Sequence, residues 1–154
     1  MKLSVHLVTW NGAKYIPFLF GSLKKQSFKD WKLVILDNAS SDNTVEKIKF
    51  ELRDFPFEHE LIVNSENKGF AGGHNQLYES CKQDYFLIIN QDLYLNSDCI
   101  EKMVKFMDEH QDVAALAPRT MKWEHESLNT NQHESIEKSF TDQIDSLGLK
   151  VLRN

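Results

Sequence analysis

Cysteine is scarce in this sequence and no long apolar run occurs, which excludes several classes of protein at the start. The two cysteines, Cys81 and Cys99, lack the paired spacing of a disulfide framework or a zinc site. No segment approaches the roughly 20 apolar residues of a membrane-spanning helix, and the first residues are too often polar for a signal peptide. We therefore expect two reduced thiols in a cytoplasmic protein.

Basic residues are in the minority as well. The 18 lysines and arginines face 23 acidic residues, so the formal net charge is -5. This balance argues against binding to a nucleic-acid backbone, and we expect no nucleic-acid partner. A small anionic ligand stays compatible with it, because the amides at a helix start can hold an anion without basic side chains. A chain of 154 residues is expected to form one domain.

Short apolar runs alternate with helical patterns along the chain. This alternation is typical of a parallel sheet covered by helices, and we predict a three-layer α/β/α, Rossmann-like fold with a mainly parallel sheet. The runs at 33–36 and 85–89 are apolar throughout, as in strands covered on both faces. Strands are predicted at 3–9, 33–36, 61–63, 85–89 and 113–117, and helices at 14–26, 43–54, 75–81 and 98–110.

The end of the sequence is less regular. Residues 122–141 are polar and weakly periodic, so we predict a mobile loop there. A metal site in this segment is the less favoured alternative, because the spacings do not match known zinc motifs. A further strand or hairpin is predicted at 144–152. The residues that raise the metal alternative are Glu124, His125, Glu126, His133 and Glu134.

Polar side chains follow four predicted strands at the point where each strand ends. Because parallel strands share one carboxyl edge, these side chains are expected to meet where open α/β sheets bind ligands. Each segment alone also fits a turn or a helix cap, and the glycines match neither the dinucleotide fingerprint nor the phosphate loop. Their convergence favours a phosphorylated ligand. The segments are 9–11, 37–38, 64–73 and 90–92.

Four segments in order resemble the motifs of family 2 glycosyltransferases with the GT-A fold, above all the rhamnosyltransferase-like branch. That family's motifs are Val-Thr-Tyr-Asn, Val-Asp-Asn-Ala-Ser-Thr-Asp-Gly-Thr, Asn-x-Gly-Phe-Ala-x-Gly-x-Asn and Leu-Asn-Pro-Asp, the last being its version of the metal-binding Asp-x-Asp. The resemblance covers about residues 3–120. The matching segments here are Val8-Thr9-Trp10-Asn11, Leu36-Asp37-Asn38-Ala39-Ser40-Ser41-Asp42-Asn43-Thr44, Asn67-Lys68-Gly69-Phe70-Ala71-Gly72-Gly73-His74-Asn75 and Ile89-Asn90-Gln91-Asp92.

The resemblance implies transfer of a sugar, with inversion, from a UDP- or dTDP-linked donor to a saccharide acceptor. It implies a single GT-A domain over 1–154, with a donor-binding core at 1–120 and a loop and partial acceptor side at 121–154. The chain looks like the donor-binding part of a longer enzyme, or a natural short form. Further implied properties are polysaccharide biosynthesis and peripheral association with the inner membrane face. The oligomeric state is open, and a homodimer is one alternative, because apolar surface next to a missing half could pair two chains.

The resemblance also implies roles for individual residues. Asp37 would bind the pyrimidine base, and Asp92, helped by Asn90, would hold Mn2+ or Mg2+ on the diphosphate, where the ion acts as a Lewis acid. The substrate-binding residues carried over in this way are Thr9, Trp10, Asn11, Asp37, Asn38, Lys68, Gly69, Gly72, Gly73, Asn75, Asn90 and Gln91.

Two departures from the family pattern leave alternatives open. Gln91 stands where proline is usual, and the Glu-Asp-like segment that supplies the family's general base is missing, so no catalytic residue is assigned. A noncatalytic module that binds nucleotide sugars or acts in assembly is therefore the main alternative. A nucleotidyltransferase is disfavoured, because no basic glycine-rich loop follows the first strand. The acidic candidates for the base are Glu124, Glu126, Asp142 and Asp145.

Overall fold

The structure, a computed structural model, describes residues 1–124 and 136–146. The chain forms two compact units, residues 1–102 and 103–154. In the first unit, four parallel strands form a sheet in the order β3-β2-β1-β4. The strands are β1 (Leu3–Thr9), β2 (Trp31–Asp37), β3 (Glu58–Val63) and β4 (Tyr85–Ile89), and the helices between them are α1 (Ile16–Lys24), α2 (Thr44–Leu52) and α3 (Gly69–Glu79).

The helices bury both faces of the central strands. On one face, Phe20 of α1 and Trp31 of β2 both pack edge-on against Phe55, with ring centroids 5.5 and 6.1 Å apart. On the other face, Leu77 of α3 packs with Leu36 of β2 in a buried cluster. Because successive strand residues point to opposite faces, an apolar run is the pattern that such a two-sided strand requires. The predicted α/β architecture is therefore observed.

Helix α4 (Cys99–Glu109) contains the boundary between the two units. In the second unit, β5 (Thr120–Trp123) pairs antiparallel with β6 (Phe140–Ser146), and a 3-10 helix (Ile136–Ser139) leads into β6. In the described part of the chain, no helix is both long and apolar enough to cross a bilayer.

The predicted strand at 113–117 is wrong. Residues 113–119 have no regular secondary structure, and the strand lies at Thr120–Trp123 instead. Ala114, Ala115 and Ala117 are exposed, so the described residues provide no layer that buries this short apolar run, whereas Thr120–Trp123 pairs with β6. Periodicity shows an apolar run but cannot show whether another strand is available to pair with it.

The predictions for the end of the chain are corrected in part. The proposed loop at 122–141 includes the end of β5, the 3-10 helix and the start of β6, because pairing between the two strands orders residues that look irregular alone. Of the strand predicted at 144–152, residues 144–146 belong to β6, and the remainder lies outside the described residues. His125, Glu126, His133 and Glu134 also lie outside them.

Two local predictions in the first unit also need correction. The glycine segment expected to be a loop before a helix at residue 75 is itself helical from Gly69, because a glycine at the helix start is no barrier to its first turn. Strand β4 was expected to be covered on both faces, but Phe86 is 47% and Ile88 44% exposed. In the described four-stranded sheet β4 is an edge strand, so an apolar run does not by itself show two-sided burial.

Candidate functional site

The carboxyl ends of β1 and β2 lie side by side and join two of the predicted motifs. Thr9 pairs with Asp37 in the parallel register, and the main-chain N–H of Asn38 donates to the Thr9 carbonyl over 2.8 Å. The Thr9 hydroxyl donates to Asp37 Oδ1 over 2.9 Å. The strand register alone therefore brings together residues that are 28 positions apart in sequence.

Asp37 is completely buried, and its carboxylate accepts three hydrogen bonds. Besides the Thr9 hydroxyl at Oδ1, it accepts the Ser40 hydroxyl at Oδ1 over 2.6 Å and the Ser40 main-chain N–H at Oδ2 over 2.8 Å. Ala39, with φ at 62°, is in the left-handed region and turns the chain back so that Ser40 can make both contacts. A buried charge needs this degree of pairing, and Asp37 thereby organises the two loops.

The loop after β1 is fastened to the start of α2 by a second set of contacts. The Asn11 main-chain N–H donates to Ser40 Oγ over 2.9 Å, and Asn11 Oδ1 accepts the Ser41 N–H over 2.8 Å. The Gly12 N–H donates to Thr44 Oγ1 over 2.8 Å. These contacts link the loops after β1 and β2, so the segments 9–12 and 37–44 form one continuous rim.

Asn38 connects this rim to the start of α3. It is 2% exposed, and its Nδ2 donates to Asn67 Oδ1 over 2.8 Å and to the Gly69 carbonyl over 3.0 Å. Its Oδ1 accepts the Lys68 main-chain N–H over 3.0 Å and a bond from Asn64 Nδ2 over 3.3 Å. An amide side chain has two donors and two acceptor positions, so all four are used within the protein.

Helix α3 begins at this edge because two glycines permit it. Gly69 has φ at 72°, which a side chain rarely adopts. At Gly73, a Cβ atom would lie 3.0 and 3.1 Å from the two γ-methyl carbons of Val8, so glycine lets the helix approach β1 closely. Lys68 Nζ donates to Gln76 Oε1 over 3.3 Å, and Asn75 is exposed. The first-turn amides and helix dipole of α3 suit an anion.

The segment after β4 reaches the same edge. Gln91 Oε1 accepts the main-chain N–H of Trp10 over 3.0 Å, and Gln91 Nε2 donates to the Trp10 carbonyl over 3.1 Å. Asn90 and Asp92 on either side are exposed. Within the described residues, no hydrogen bond or ion pair engages the Asp92 carboxylate. The structure therefore brings all four predicted motifs together.

The chemistry of this edge fits a divalent ion only in company with a ligand. Among the described residues, no group of three or more His, Cys, Asp or Glu side chains could hold a metal by itself. Asp92 offers one exposed carboxylate, with the Asn90 amide two residues away. Mg2+ commonly takes one or two protein carboxylates together with substrate phosphates and waters, so this donor set is sufficient for a metal that arrives with a diphosphate.

The candidates for a general base do not belong to the unit that carries this edge. Glu124, Asp142 and Asp145 are exposed residues of the second compact unit. Glu126 lies outside the described residues. None of these four candidates is therefore assigned as the base, and a catalytic residue stays unassigned.

Two buried histidines, His6 of β1 and His74 of α3, were missed by the sequence reasoning. His6 is 1% exposed, and its Nε2 lies 3.0 Å from Ser4 Oγ. The Phe86 ring stacks on the imidazole, with the two ring centroids 5.8 Å apart. Burial, helped by His74 and Lys32, lowers the pKa of His6 to about 4. His74 of α3 is buried with neither ring nitrogen hydrogen-bonded, and burial lowers its pKa. The position of His6 in the middle of a strand, between the apolar residues Val5 and Leu7, was the available signal.

Comparisons with known proteins agree with this arrangement. The chain is 29% identical over 113 residues to poly(ribitol-phosphate) beta-N-acetylglucosaminyltransferase TarS of Staphylococcus aureus. This alignment covers 71% of this chain and 19% of that protein. It is 25% identical over 168 residues to O-antigen chain rhamnosyltransferase RfbN of Salmonella typhimurium, covering 99% of this chain and 49% of the relative.

Solved structures show the same fold. The structure of S. aureus TarS 1-349 in complex with UDP-GlcNAc matches with a TM-score of 0.66 at 26% identity, over 79% of this chain and 38% of that chain. Mannosyltransferase PcManGT from Pyrobaculum calidifontis, in complex with GDP-Man and Mn2+, matches with a TM-score of 0.65 at 22% identity, over 69% of this chain and 32% of that chain. The predicted GT-A-like fold is confirmed.

This chain spans less than half the length of each of these proteins. The model of the family described as "Glycosyl transferase family 2" matches residues 4–152, which is nearly the whole sequence. With the predicted motifs assembled at one edge of a GT-A-like sheet, the chain belongs to glycosyl transferase family 2.

Proposed function

We propose that this chain is the donor-binding part of an inverting glycosyltransferase, which transfers a sugar from a UDP- or dTDP-linked donor to a saccharide acceptor. The observation that carries the proposal is the direct linkage of the four motifs at the carboxyl edge of the sheet, through Thr9, Asp37, Asn38 and Gln91. The UDP-GlcNAc bound to the TarS relative supports a uridine-type donor.

The nucleoside is assigned to the rim formed by 9–12 and 37–44. The indole of Trp10 is 54% exposed there and offers an apolar surface, and the Asn11 side chain lies beside it in sequence. Asp37 would accept the imide N–H of a pyrimidine. Because its carboxylate is fully buried under Ser40, direct contact with a base requires the Ser40 loop to move when the ligand binds.

The diphosphate is assigned to the space between the α3 start and Asp92. The first turn of α3 presents main-chain N–H groups, which attract the charge of a phosphate without a basic side chain. Asp92, with Asn90, would hold the divalent ion. That ion, when bound, neutralises the charge that develops on the leaving diphosphate, and the protein's part is to orient the phosphates and exclude alternative positions.

Thermal unfolding with added nucleotides tests the donor assignment. We expect UDP or dTDP with Mn2+ to raise the melting temperature more than GDP or ADP, because a ligand that binds the native state stabilises it by mass action. At 100 times the dissociation constant the gain is about 2.7 kcal/mol. A cooperative melt that no nucleotide shifts would contradict the proposal.

The variant Asp92→Asn tests the metal assignment within the same assay. We expect it to abolish the part of the UDP shift that depends on Mn2+, while the shift measured with EDTA is retained. Asp84→Asn is the matched control, because Asp84 is also exposed but precedes β4 at its other end. Equal Mn2+-dependent shifts in the parent and Asp92→Asn would remove Asp92 as a ligand.

A noncatalytic module that binds nucleotide sugars is the second candidate. It is favoured by one observation: the sequence lacks the Glu-Asp-like segment that supplies the general base in the family it resembles. Release of free nucleoside diphosphate that requires a saccharide acceptor would exclude it. Absence of release from a chain that binds UDP would favour it over the enzyme.

The biological setting belongs to the same proposal. The names of two relatives refer to polymers, a poly(ribitol-phosphate) and an O-antigen chain. We accordingly place this chain in polysaccharide biosynthesis, in the cytoplasm or at the inner face of the membrane, with a homodimer as one possible assembly. Sedimentation of the purified chain with and without anionic vesicles measures both the membrane association and the oligomeric state.

A further inference from the structure

The side chain of Gln91 forms a two-point contact with the main chain of Trp10. Its carbonyl oxygen accepts the Trp10 N–H over 3.0 Å and its amide nitrogen donates to the Trp10 carbonyl over 3.1 Å. The amide therefore binds Trp10 much as a neighbouring strand would, and both ends of the side chain are committed within the protein. The two residues are 81 positions apart.

This contact depends on the absence of a side chain at Gly12. A Cβ atom there would lie 2.2 Å from Gln91 Oε1, 2.4 Å from Cδ and 2.9 Å from Nε2, all closer than nonbonded atoms can approach. Gly12 is buried, and its own N–H is held by Thr44 Oγ1 over 2.8 Å, so the main chain at residue 12 has little freedom to retreat. The Gln91 amide lies in the space that glycine leaves.

Gln91 thereby connects the segment that bears Asp92 to the rim that bears Trp10 and Asn11. Asp92 itself makes no hydrogen bond or ion pair within the described residues, so nothing on its own side chain fixes its position. The main chain next to it is fixed instead through Gln91. A carboxylate held in this way keeps its own oxygens available for a ligand.

We propose that Gln91 is a positioning residue, which with Gly12 forms a lock that holds Asp92 at a set distance from the nucleoside end of the site. The inference rests on the proposed function, since it assigns Asp92 to the metal on the diphosphate. It gives Gln91 a role different from direct substrate contact, because both polar atoms of its amide are used on Trp10. Gly12 is required for the same reason.

The test measures UDP affinity by calorimetry, with Mn2+ and separately with EDTA, for the parent, Gln91→Ala, Gly12→Ala and the double variant. Loss of a group that orients a metal ligand typically lowers metal affinity by at least about tenfold. We expect Gln91→Ala to weaken UDP binding about tenfold in Mn2+ and to leave the affinity in EDTA near that of the parent. A merely structural role would lower both together.

Gly12→Ala supplies the second arm. Its methyl group displaces the Gln91 amide, so this variant is expected to show the same loss in Mn2+ as Gln91→Ala. Once Gln91 is alanine, the methyl has nothing left to displace, and the double variant is expected to be no weaker than either single variant, as coupled sites are not additive. Additive losses would overturn the lock.

Gln83→Ala is the matched control. Gln83 is also half-buried and accepts a main-chain bond, from Lys82 N–H over 3.3 Å, but it precedes β4 at the opposite end from Gln91. It is expected to leave both affinities unchanged. Circular dichroism melts of every variant establish that each one is folded before its affinity is compared.

The outcomes separate this inference from the proposed function. If the parent binds UDP with Mn2+ and Gln91→Ala binds equally well, the positioning role is wrong while the donor site stands. If the parent binds no nucleotide, the proposed function is wrong and the positioning role is overturned with it. In that case, non-additive unfolding free energies for Gly12→Ala and Gln91→Ala would still support the lock as a structural contact.

Discussion

Acidification is expected to destabilise this fold through His6. Its side chain is 1% exposed, and burial lowers its pKa from 6.5 to about 4. Above pH 6.5 the imidazole is neutral in both the folded and unfolded chains, so stability is fully present there. Between pH 6.5 and about 4 the unfolded chain binds a proton that the folded chain does not, so the free energy of unfolding falls as the pH falls.

The size of the effect follows from the difference between the two pKa values. The shift from 6.5 to about 4 corresponds to about 3.4 kcal/mol at full protonation, at about 1.36 kcal/mol per pH unit. At pH 5 the loss reaches about 2 kcal/mol. Since small domains are stable by about 5–15 kcal/mol, this loss is a large share of the total. His74, whose pKa burial also lowers, acts in the same direction.

Urea unfolding followed by circular dichroism at pH 7 and pH 5 measures this loss. The parent is expected to lose about 2 kcal/mol more than His6→Gln over this interval, because glutamine can keep a hydrogen bond to Ser4 but does not titrate. His59→Gln, which changes an exposed histidine, serves as the control. If the parent and His6→Gln lose the same free energy between pH 7 and pH 5, the reasoning about His6 is refuted.

Two substitutions at the candidate site have expected effects on stability. Asn38→Ala removes a 2%-exposed amide and leaves its hydrogen-bond partners unpaired, including Asn67 Oδ1. In a denaturant titration, this variant is expected to lower the free energy of unfolding by about 2–3 kcal/mol. A loss smaller than that of an ordinary surface substitution would contradict the network. Ala39→Gly relieves the strain of the left-handed φ of 62°, and is expected to raise the free energy of unfolding by about 0.5–1 kcal/mol. The matched change Ala71→Gly, inside α3, should instead lower the free energy of unfolding by about 1 kcal/mol. Equal effects at both positions would refute the strain at Ala39.

Much of the fold could be predicted from local patterns. The bounds of β1 and β4 are those expected from their apolar runs, and α4 differs from the expected helix by one residue at each end. These elements have strong internal signals, because apolar spacing and turn residues lie within the element itself. The strand at 113–117 failed for the opposite reason: its apolar run was present, but within residues 1–124 and 136–146 no strand pairs with it.

The candidate site could likewise be predicted only in part from the sequence. Its location at the end of each strand could be predicted, because parallel strands place their carboxyl ends on one edge. The use made of each side chain could not. Asn38 and Gln91 were expected to bind substrate, and these roles stay predictions, yet the structure directs their amides to Gly69 and Trp10. An amide next to a turn gives no sign in sequence of which distant main-chain group it will meet.

The sequence by itself determined the alternation of strands and helices as far as α4, the family to which the chain belongs, and the four segments that form the edge, because all of these depend on short-range patterns. Only the tertiary structure decided that Asp37 is buried between Thr9 and Ser40, that His6 is buried, and that the Gln91 amide occupies the space left by the missing side chain of Gly12. Each of those features depends on contacts between residues distant in sequence, such as Thr9 with Asp37, 28 positions apart, and Trp10 with Gln91, 81 positions apart. Such contacts form only when the strands pair and the loops beyond them come together.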